Sequence, residues 1–546
     1  MMMPAAPETK GDETDAPWWK RAVFYQIYPR SFFDSNGDGV GDLAGVRARL
    51  PYLADLGVDA LWLSPFFTSP MKDYGYDVSD YRDVDPLFGT LDDFDALLAD
   101  AHGLGLKMVI DQVWSHTSDQ HPWFLESCAD PHGDKADWYV WAEARPDGGP
   151  PNNWLARFGG PAWSWNAQRR RYYLHNFLPS QPDLNFRNPQ VQEAVLDVAR
   201  FWLDRGVDGF RLDVVNYLFH DAALRDNPPA LEPRTPATVY AMQRHANNRT
   251  QPETLGFVSR LRALMDGYGQ RMAVGEIDDH DPLETQAAYT AGSDRLHTAY
   301  SFFLLDARRP EPALFEAAID GWRGRTGWPS WSLGNHDVPR FPSRMAPGGE
   351  PDPRLTRALL AILLTLPGTP YLYQGDELGL PQAEVPFERL RDPFAIAAYT
   401  GGSGRDGART PMPWASATAH AGFSVAADTW LPVDQAHRDL AVDVQEPDAA
   451  STLNFVRRFL ALRRSETALQ LGAAEPWPGD LPEGVLGYVR AFGESRIGCL
   501  FELEGREVAL PAPARGEALA TDLGGALTAG EIRLPAYGGL LLKLSG

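Results

Sequence analysis

Three acids stand at or just past the ends of short apolar runs: Asp213 in Asp208-Gly-Phe-Arg-Leu-Asp213, Glu276 in Met272-Ala-Val-Gly-Glu276, and Asp337 in Trp331-Ser-Leu-Gly-Asn-His-Asp337. Arg211 precedes Asp213 by two residues, so on a strand the two side chains share one face. A guanidinium beside a carboxylate holds it ionised at neutral pH, the state that a carboxylate nucleophile needs. Acids at the ends of several successive strands require a scaffold that brings strand ends together, which a parallel barrel does.

The elements that would position them follow a strand–loop–helix rhythm. An aromatic strand over 23–29 leads into a Gly/Asp loop, and a helix over 43–56 ends at Gly57. Strands follow at 59–64 and 107–111, with a helix over 91–102 opened by Thr90 as N-cap. From 118 to 183 the rhythm breaks into Trp, Pro, Gly and Asn, too long for a plain connection. It reads as a small subdomain inserted after the third strand. A helix over 191–205 restores the rhythm, and strand four is the Asp213 stretch. A second excursion, 216–253, precedes a helix over 254–266. Strand five carries Glu276, strand six spans 297–303, strand seven ends at Asp337, strand eight is 369–374, and a last helix covers 451–464. The expected fold is an α/β (β/α)8 TIM barrel over 18–117 and 184–466, with the inserted subdomain at 118–183 and a C-terminal antiparallel β domain at 467–546. Residues 1–17 read as a disordered, acidic, Pro-containing lead-in, neither signal peptide nor membrane anchor. No internal repeat interrupts this plan.

The 546 residues carry a net charge of −23, which argues against nucleic acid and anionic membrane surfaces as partners. Only Cys128 and Cys499 occur, without metal-ligand spacing, and they read as free thiols in a reducing cytoplasm. No run approaches a membrane span. In the loop after strand one, Asp34, Asn36, Asp38 and Asp42 alternate with glycines, with Val40 offering a backbone carbonyl. That spacing is similar to a calcium loop of the EF-hand type, although Gly45 stands where a bidentate Glu belongs. A structural Ca2+ or Mg2+ is expected there, with a plain Gly/Asp turn as the alternative; no cofactor is expected for catalysis.

Four stretches, 111–116, 209–213, 275–276 and 335–337, resemble in order and spacing the short regions of the α-amylase family of retaining α-glycoside hydrolases. Two more, Gln181-Pro-Asp-Leu-Asn185 and Gly404-Arg-Asp-Gly-Ala-Arg-Thr-Pro-Met-Pro-Trp414, resemble its bacterial α-glucosidase and oligo-1,6-glucosidase branch. The resemblance implies Asp213 as nucleophile, Glu276 as general acid and then base, and Asp337 as a third acid on the sugar hydroxyls. Glu276 has no cation near it in sequence, and burial without a cation raises a carboxyl pKa, as suits a proton donor. His116 and His336 would donate to the same ring. Asp73, Tyr76 and Arg405 would cap the non-reducing end of the substrate, and Phe158 and Phe177 would wall the pocket.

The implied activity is a retaining exo-α-glucosidase acting on disaccharides and short oligosaccharides, with transglucosylation as a side activity. An oligo-1,6-glucosidase, or an isomerase of the isomaltulose or trehalose synthase type, is the alternative. Val214, directly after the nucleophile, points toward α-1,6 linkages in this branch, whereas the Glu276–His280 run points toward α-1,4 or broad specificity. A non-catalytic scaffold, like the amylase-like ectodomains of amino-acid transporter heavy chains, is a third reading, against which stand the complete set Asp213, Glu276 and Asp337 and the lack of a membrane anchor. Oligomeric state is left open by the sequence.

Overall fold

In the computed structural model, residues 16–231, 238–397, 404–513, 515–519 and 521–544 are described. Most of the expected lead-in lies outside them. Eight parallel strands form one sheet: β1 (Phe24–Ile27), β2 (Ala60–Leu63), β3 (Lys107–Gln112), β4 (Gly209–Leu212), β5 (Met272–Ile277), β6 (Thr298–Ser301), β7 (Ser330–Ser332) and β8 (Thr369–Tyr373). Their spatial order runs 6-5-4-3-2-1-8-7. A parallel bridge between Ala299 and Pro329 joins the two edges and closes the barrel.

Period-two alternation sorts the strand side chains into two cores. Phe24, Ala60, Trp62, Val109, Val274, Tyr300 and Tyr371 point inward and fill the barrel. Their neighbours Tyr25, Leu61, Leu63, Ile110, Phe210 and Ile277 point outward, against the surrounding helices. Asp111, Arg211 and Glu276 have the inward parity. Register then makes them neighbours: Arg211 pairs with Asp111 on one side and with Val274 on the other, and Glu276 pairs with Tyr300. Gly209 permits this approach, because a Cβ there would stand 2.1 Å from the Met272 carbonyl oxygen.

Some expected elements differ in detail. The helix expected over 43–56 is two, Leu43–Ala48 and Leu50–Leu56, because Pro51 cannot continue the first. Strand seven stops at Ser332, so Asp337 sits on the following loop rather than on the strand. Thr90 does cap its helix, α1 (Leu91–Gly103), through a capping box with Asp93.

Between β3 and α2 (Pro189–Asp204), Trp141–Ala142, Arg171–Leu174 and Trp163–Asn166 make a three-stranded antiparallel sheet over Trp154, Trp163 and Leu174. A bridge between His116 and Asp183 ties this excursion to the end of β3. Beyond α3 (Thr452–Ser465), two antiparallel sheets of five and three strands follow.

Candidate active site

At the C-terminal end of the barrel lies a cavity of about 290 Å³, lined by Asp213, Glu276, Asp337, Asp73, Tyr76, His116, Phe158, Phe177 and Arg405 among others. The structure thus gathers residues spread over more than 300 positions of sequence. Arg211 and His336 do not line it; both are fully buried directly behind its wall.

Arg211 is the electrostatic centre. Its Nη1 donates to Asp111 Oδ1 at 2.8 Å and to Asp213 Oδ1 at 2.6 Å, and its Nη2 lies 2.6 Å from Glu276 Oε1. The sequence expectation that Glu276 lacks a cation is therefore wrong. Strand β5 lies beside β4 with Val274 opposite Arg211, and one guanidinium reaches both catalytic candidates. A single positive charge cannot neutralise three buried carboxylates, so protons stay on them up to neutral pH. Burial pushes Asp213 up to about 7, with Arg211 opposing and Asp111 reinforcing the rise. Burial likewise pushes Glu276 up to about 7, opposed by Arg211 and reinforced by Asp213. Burial raises Asp111 as well, to about 6, against Arg211 and the donors Tyr76 OH at 3.1 Å and Trp62 Nε1 at 3.2 Å, so it is the first of the three to ionise as pH rises. Asp213 and Glu276 then titrate as a pair that holds one proton near neutrality. Glu276 is fixed by the Tyr300 hydroxyl, which donates to Oε1 at 3.0 Å, and by the Val214 N–H, which donates to Oε2 at 3.1 Å.

Asp337 behaves oppositely. Burial would raise its pKa, but the permanently charged Arg409 and Arg405 beside it outweigh burial and hold the carboxyl well below the usual range. Arg409 Nη2 donates to its Oδ1 at 2.8 Å and Arg405 Nη1 at 3.3 Å. The loop that carries it is fixed by Asn335, whose Oδ1 accepts from the Asp337 N–H at 2.9 Å. Burial keeps His336 neutral, its pKa lowered to about 3. Gln26 Nε2 lies 2.8 Å from His336 Nδ1, which leaves the proton on Nε2, 3.2 Å from Asp337 Oδ2. The His336 ring is sandwiched between Tyr76 at 5.1 Å and Tyr28 at 5.6 Å. His116, also neutral through burial, faces the Tyr76 carbonyl with Nε2 at 2.9 Å.

The cavity floor is an ion pair. Arg405 Nη2 donates to Asp73 Oδ1 at 2.7 Å and to Asp392 Oδ1 at 2.8 Å, while Gln181 donates to Asp73 Oδ2 at 3.1 Å. The Arg405 guanidinium lies 4.9 Å from the Phe158 ring centroid, and Phe158 meets Phe177 at 6.0 Å. A substrate end can enter this pocket, but a chain cannot pass beyond Asp73 and Arg405. Sequence reasoning gave no role to Asp111, Gln181 or Arg409, although all three lie in stretches it singled out. Tyr300, Asp392 and Arg157 it missed outright, because their signal is register and loop packing rather than local pattern.

With this geometry in place, the comparison with known proteins is direct. The profile of the alpha amylase catalytic domain matches residues 26–472. The chain belongs to the α-amylase family. A probable alpha-glucosidase of Rhizobium meliloti (strain 1021) is 49% identical over 98% of both chains. The oligo-1,6-glucosidase of Parageobacillus thermoglucosidasius is 36% identical over 88% of this chain and 89% of its own. Among solved structures, an alpha-glucosyl transfer enzyme, XgtA, superposes with a TM-score of 0.93 at 50% identity, covering 97% of this chain and 100% of its own.

The loop 34–42 lies apart from this cavity. Asp34 Oδ1 accepts the N–H groups of Asn36 and Gly37, and its Oδ2 accepts the Gly39 N–H and the Ser424 hydroxyl. Asn36 and Asp38 accept the N–H groups of Asp38 and Val40, and Asp42 caps the next helix through Gly45 N–H. Among the described residues, no three His, Cys, Asp or Glu side chains converge as a metal site. The oxygen donors present are the hard ligands that Ca2+ or Mg2+ takes, but here they serve the loop's own amides. Among the described residues no helix is long and apolar enough to cross a membrane.

Proposed function

We infer that the chain is a retaining, exo-acting α-glucosidase that removes one glucose from the non-reducing end of short α-glucosides. The observation that carries the reading is the Asp73–Arg405 pair closing the cavity floor at 2.7 Å beside the Asp213–Glu276 dyad. Asp213 attacks the anomeric carbon while Glu276 gives its proton to the glycosidic oxygen, and the bond to the leaving sugar breaks as the glucosyl–Asp213 bond forms. Glu276, now ionised, takes a proton from water or from a sugar hydroxyl that attacks the same carbon; a sugar acceptor gives transglucosylation. Asp337, charged throughout and backed by His336 behind the cavity wall, holds the ring hydroxyls as positive charge develops. One guanidinium spanning both carboxyls keeps them close, as retention needs with its separation of roughly 5–5.5 Å.

The test is the product profile from maltose, sucrose and isomaltose at equal concentration, with Asp213→Asn as control. Glucose from maltose or sucrose, absent in the variant, supports the reading. Glucose from isomaltose alone replaces it with an oligo-1,6-glucosidase, the specificity to which Val214 points. A new disaccharide in place of monosaccharides moves the chain to the isomerases.

Two finer readings accompany it. The alternating oxygens of Asp34, Asn36, Asp38 and Asp42, with the Val40 carbonyl, support a structural Ca2+ or Mg2+ that would draw those side chains off the amides they now accept. Chelation should then lower Tm with little change in turnover, and an unchanged Tm assigns the loop to the amide-held turn. The two free, buried cysteines, Cys128 and Cys499, support a reducing cytoplasmic location, which cell fractionation tests.

A further inference from the structure

Asp278 follows Glu276 by two residues and stands just past the C-terminal end of β5, on the side of the barrel where the cavity opens. Glu276 protonates the bond being broken, so a group farther out faces the leaving sugar or the incoming acceptor rather than the transferred glucose. Asp278 lines the cavity together with Arg157, which comes from the inserted subdomain.

Two features set this pair apart from an ordinary surface ion pair. Asp278 is held from behind through one oxygen: Oδ2 takes the Tyr217 hydroxyl at 2.8 Å and lies 2.8 Å from Nη1 of the buried Arg249. Its backbone is pinned as well, since Asn216 Nδ2 donates to the Asp278 carbonyl at 2.7 Å. Burial opposes this charge, but Arg249 and Arg157 overcome it and keep the carboxyl well below its usual range. The other oxygen, Oδ1, accepts no hydrogen bond from the described residues. Arg157 is unspent in the same sense. Its Nη1 stands 4.0 Å from Asp278 Oδ2, beyond hydrogen-bond reach, and its guanidinium packs 5.2 Å from the Tyr240 ring centroid. It donates no side-chain hydrogen bond to the described residues, while its backbone N–H is fixed to the Asn176 carbonyl at 2.8 Å. A fixed acceptor and a free donor therefore face one chamber. Phe158 and Phe394, 5.9 Å apart, supply apolar lining to the same chamber.

We propose that Asp278 and Arg157 form a clamp for the vicinal hydroxyls of the leaving or accepting sugar and so set this enzyme's preference for sugar over aryl partners. One hydroxyl donates to Asp278 Oδ1, and its neighbour accepts from the Arg157 guanidinium. The clamp rests on the α-glucosidase reading and adds to it the class of the second partner: a polyhydroxy ring rather than a planar aromatic one, which has no paired hydroxyls to offer.

The experiment compares kcat/KM on maltose with that on p-nitrophenyl α-glucoside for the wild type, Arg157→Ala and Asp278→Asn, with a thermal melt of each. Arg157 is half-exposed and makes no side-chain hydrogen bond to the described residues, so its variant keeps the fold; Asp278→Asn keeps shape and removes charge. The expected result is a maltose-to-aryl ratio at least tenfold lower in both variants, carried by KM for maltose. A ratio unchanged in Arg157→Ala, or an equal fall on both substrates, overturns the clamp while leaving the α-glucosidase reading intact. A wild type that cleaves neither substrate overturns that reading and the clamp with it.

Discussion

Arg211 shows how one side chain sets the chemistry of two others. Because it touches both Asp213 and Glu276, neither carboxyl titrates alone, and activity needs the form with one proton between them. Below the pair's range both are protonated and no nucleophile exists; above it both are ionised and no acid remains. The profile of kcat/KM against pH should therefore be bell-shaped around neutrality, where burial has pushed both groups to about 7. Replacing Arg211 with methionine removes a charge that favours both anions, so the acidic limb should move to higher pH. The two roles separate by leaving group. Glu276→Gln should cost about 10²–10⁴-fold on maltose but far less on p-nitrophenyl α-glucoside, whose phenolate departs without a proton. Asp213→Asn should be silent on both. Equal losses on both substrates in Glu276→Gln would remove the proton-donor role.

At the scale of elements, the excursion after β3 is bridged to the barrel at His116 and folded back on itself by a buried carboxyl. Asp183 pairs with His116 in a bridge and accepts from the Asn176 N–H at 3.2 Å and from its side-chain amide. Burial pushes its pKa up to about 7, the Asn176 donors opposing the rise, against roughly 3.9 in an unfolded chain. Between those values the folded protein holds a proton that the unfolded chain has lost, so this group's contribution to stability falls as pH rises from about 4 to about 7. The stability difference between wild type and Asp183→Asn, from urea melts at pH 5 and pH 8, should therefore shift against the wild type at the higher pH. A constant difference would mean that Asp183 does not titrate in this window. Val214 is a second element-level device. It has φ +34°, a left-handed conformation costly for a β-branched residue, and that turn aims its N–H at Glu276.

At the scale of the molecule, the barrel and the C-terminal sheets share one core. Leu486, Tyr488, Ile497, Phe501 and Leu541 belong to the same buried cluster as Leu359, Leu363 and Phe459 of the barrel helices. The Tyr488 hydroxyl meets Thr365 Oγ1 at 2.8 Å, and the buried Arg490 of the C-terminal sheet donates to the Thr365 carbonyl. Removing residues 473–546 should leave that face open to water and drive the remainder into the insoluble fraction, checked by expression of the truncated chain. A soluble, active truncation would show the barrel to be self-sufficient.

What could be read from the chain depended on how local its cause was. Eight strand positions, the long break after the third strand and the change of texture near residue 467 were legible because alternation, Gly and Pro placement and loop length act within a few residues. Asp213, Glu276, Asp337, Asp73 and Arg405 were nameable because each lies in a short stretch resembling one family. The charge on each acid was not legible, since a pKa depends on every group within a few ångströms whatever its place in sequence. Strand register alone put Arg211 against Glu276 and Tyr300 beside it, and overturned the expectation of a lone general acid. The break at Pro51 was written in the sequence; the position of Asp337 beyond its strand was not, because Arg405 and Arg409 fix it from a loop some seventy residues away. Sequence by itself determined the barrel, the family and the acids. Only the closing of the barrel decided which of them share a proton and which cation they share, because electrostatics follows distance in space, and the chain reveals only distance along itself.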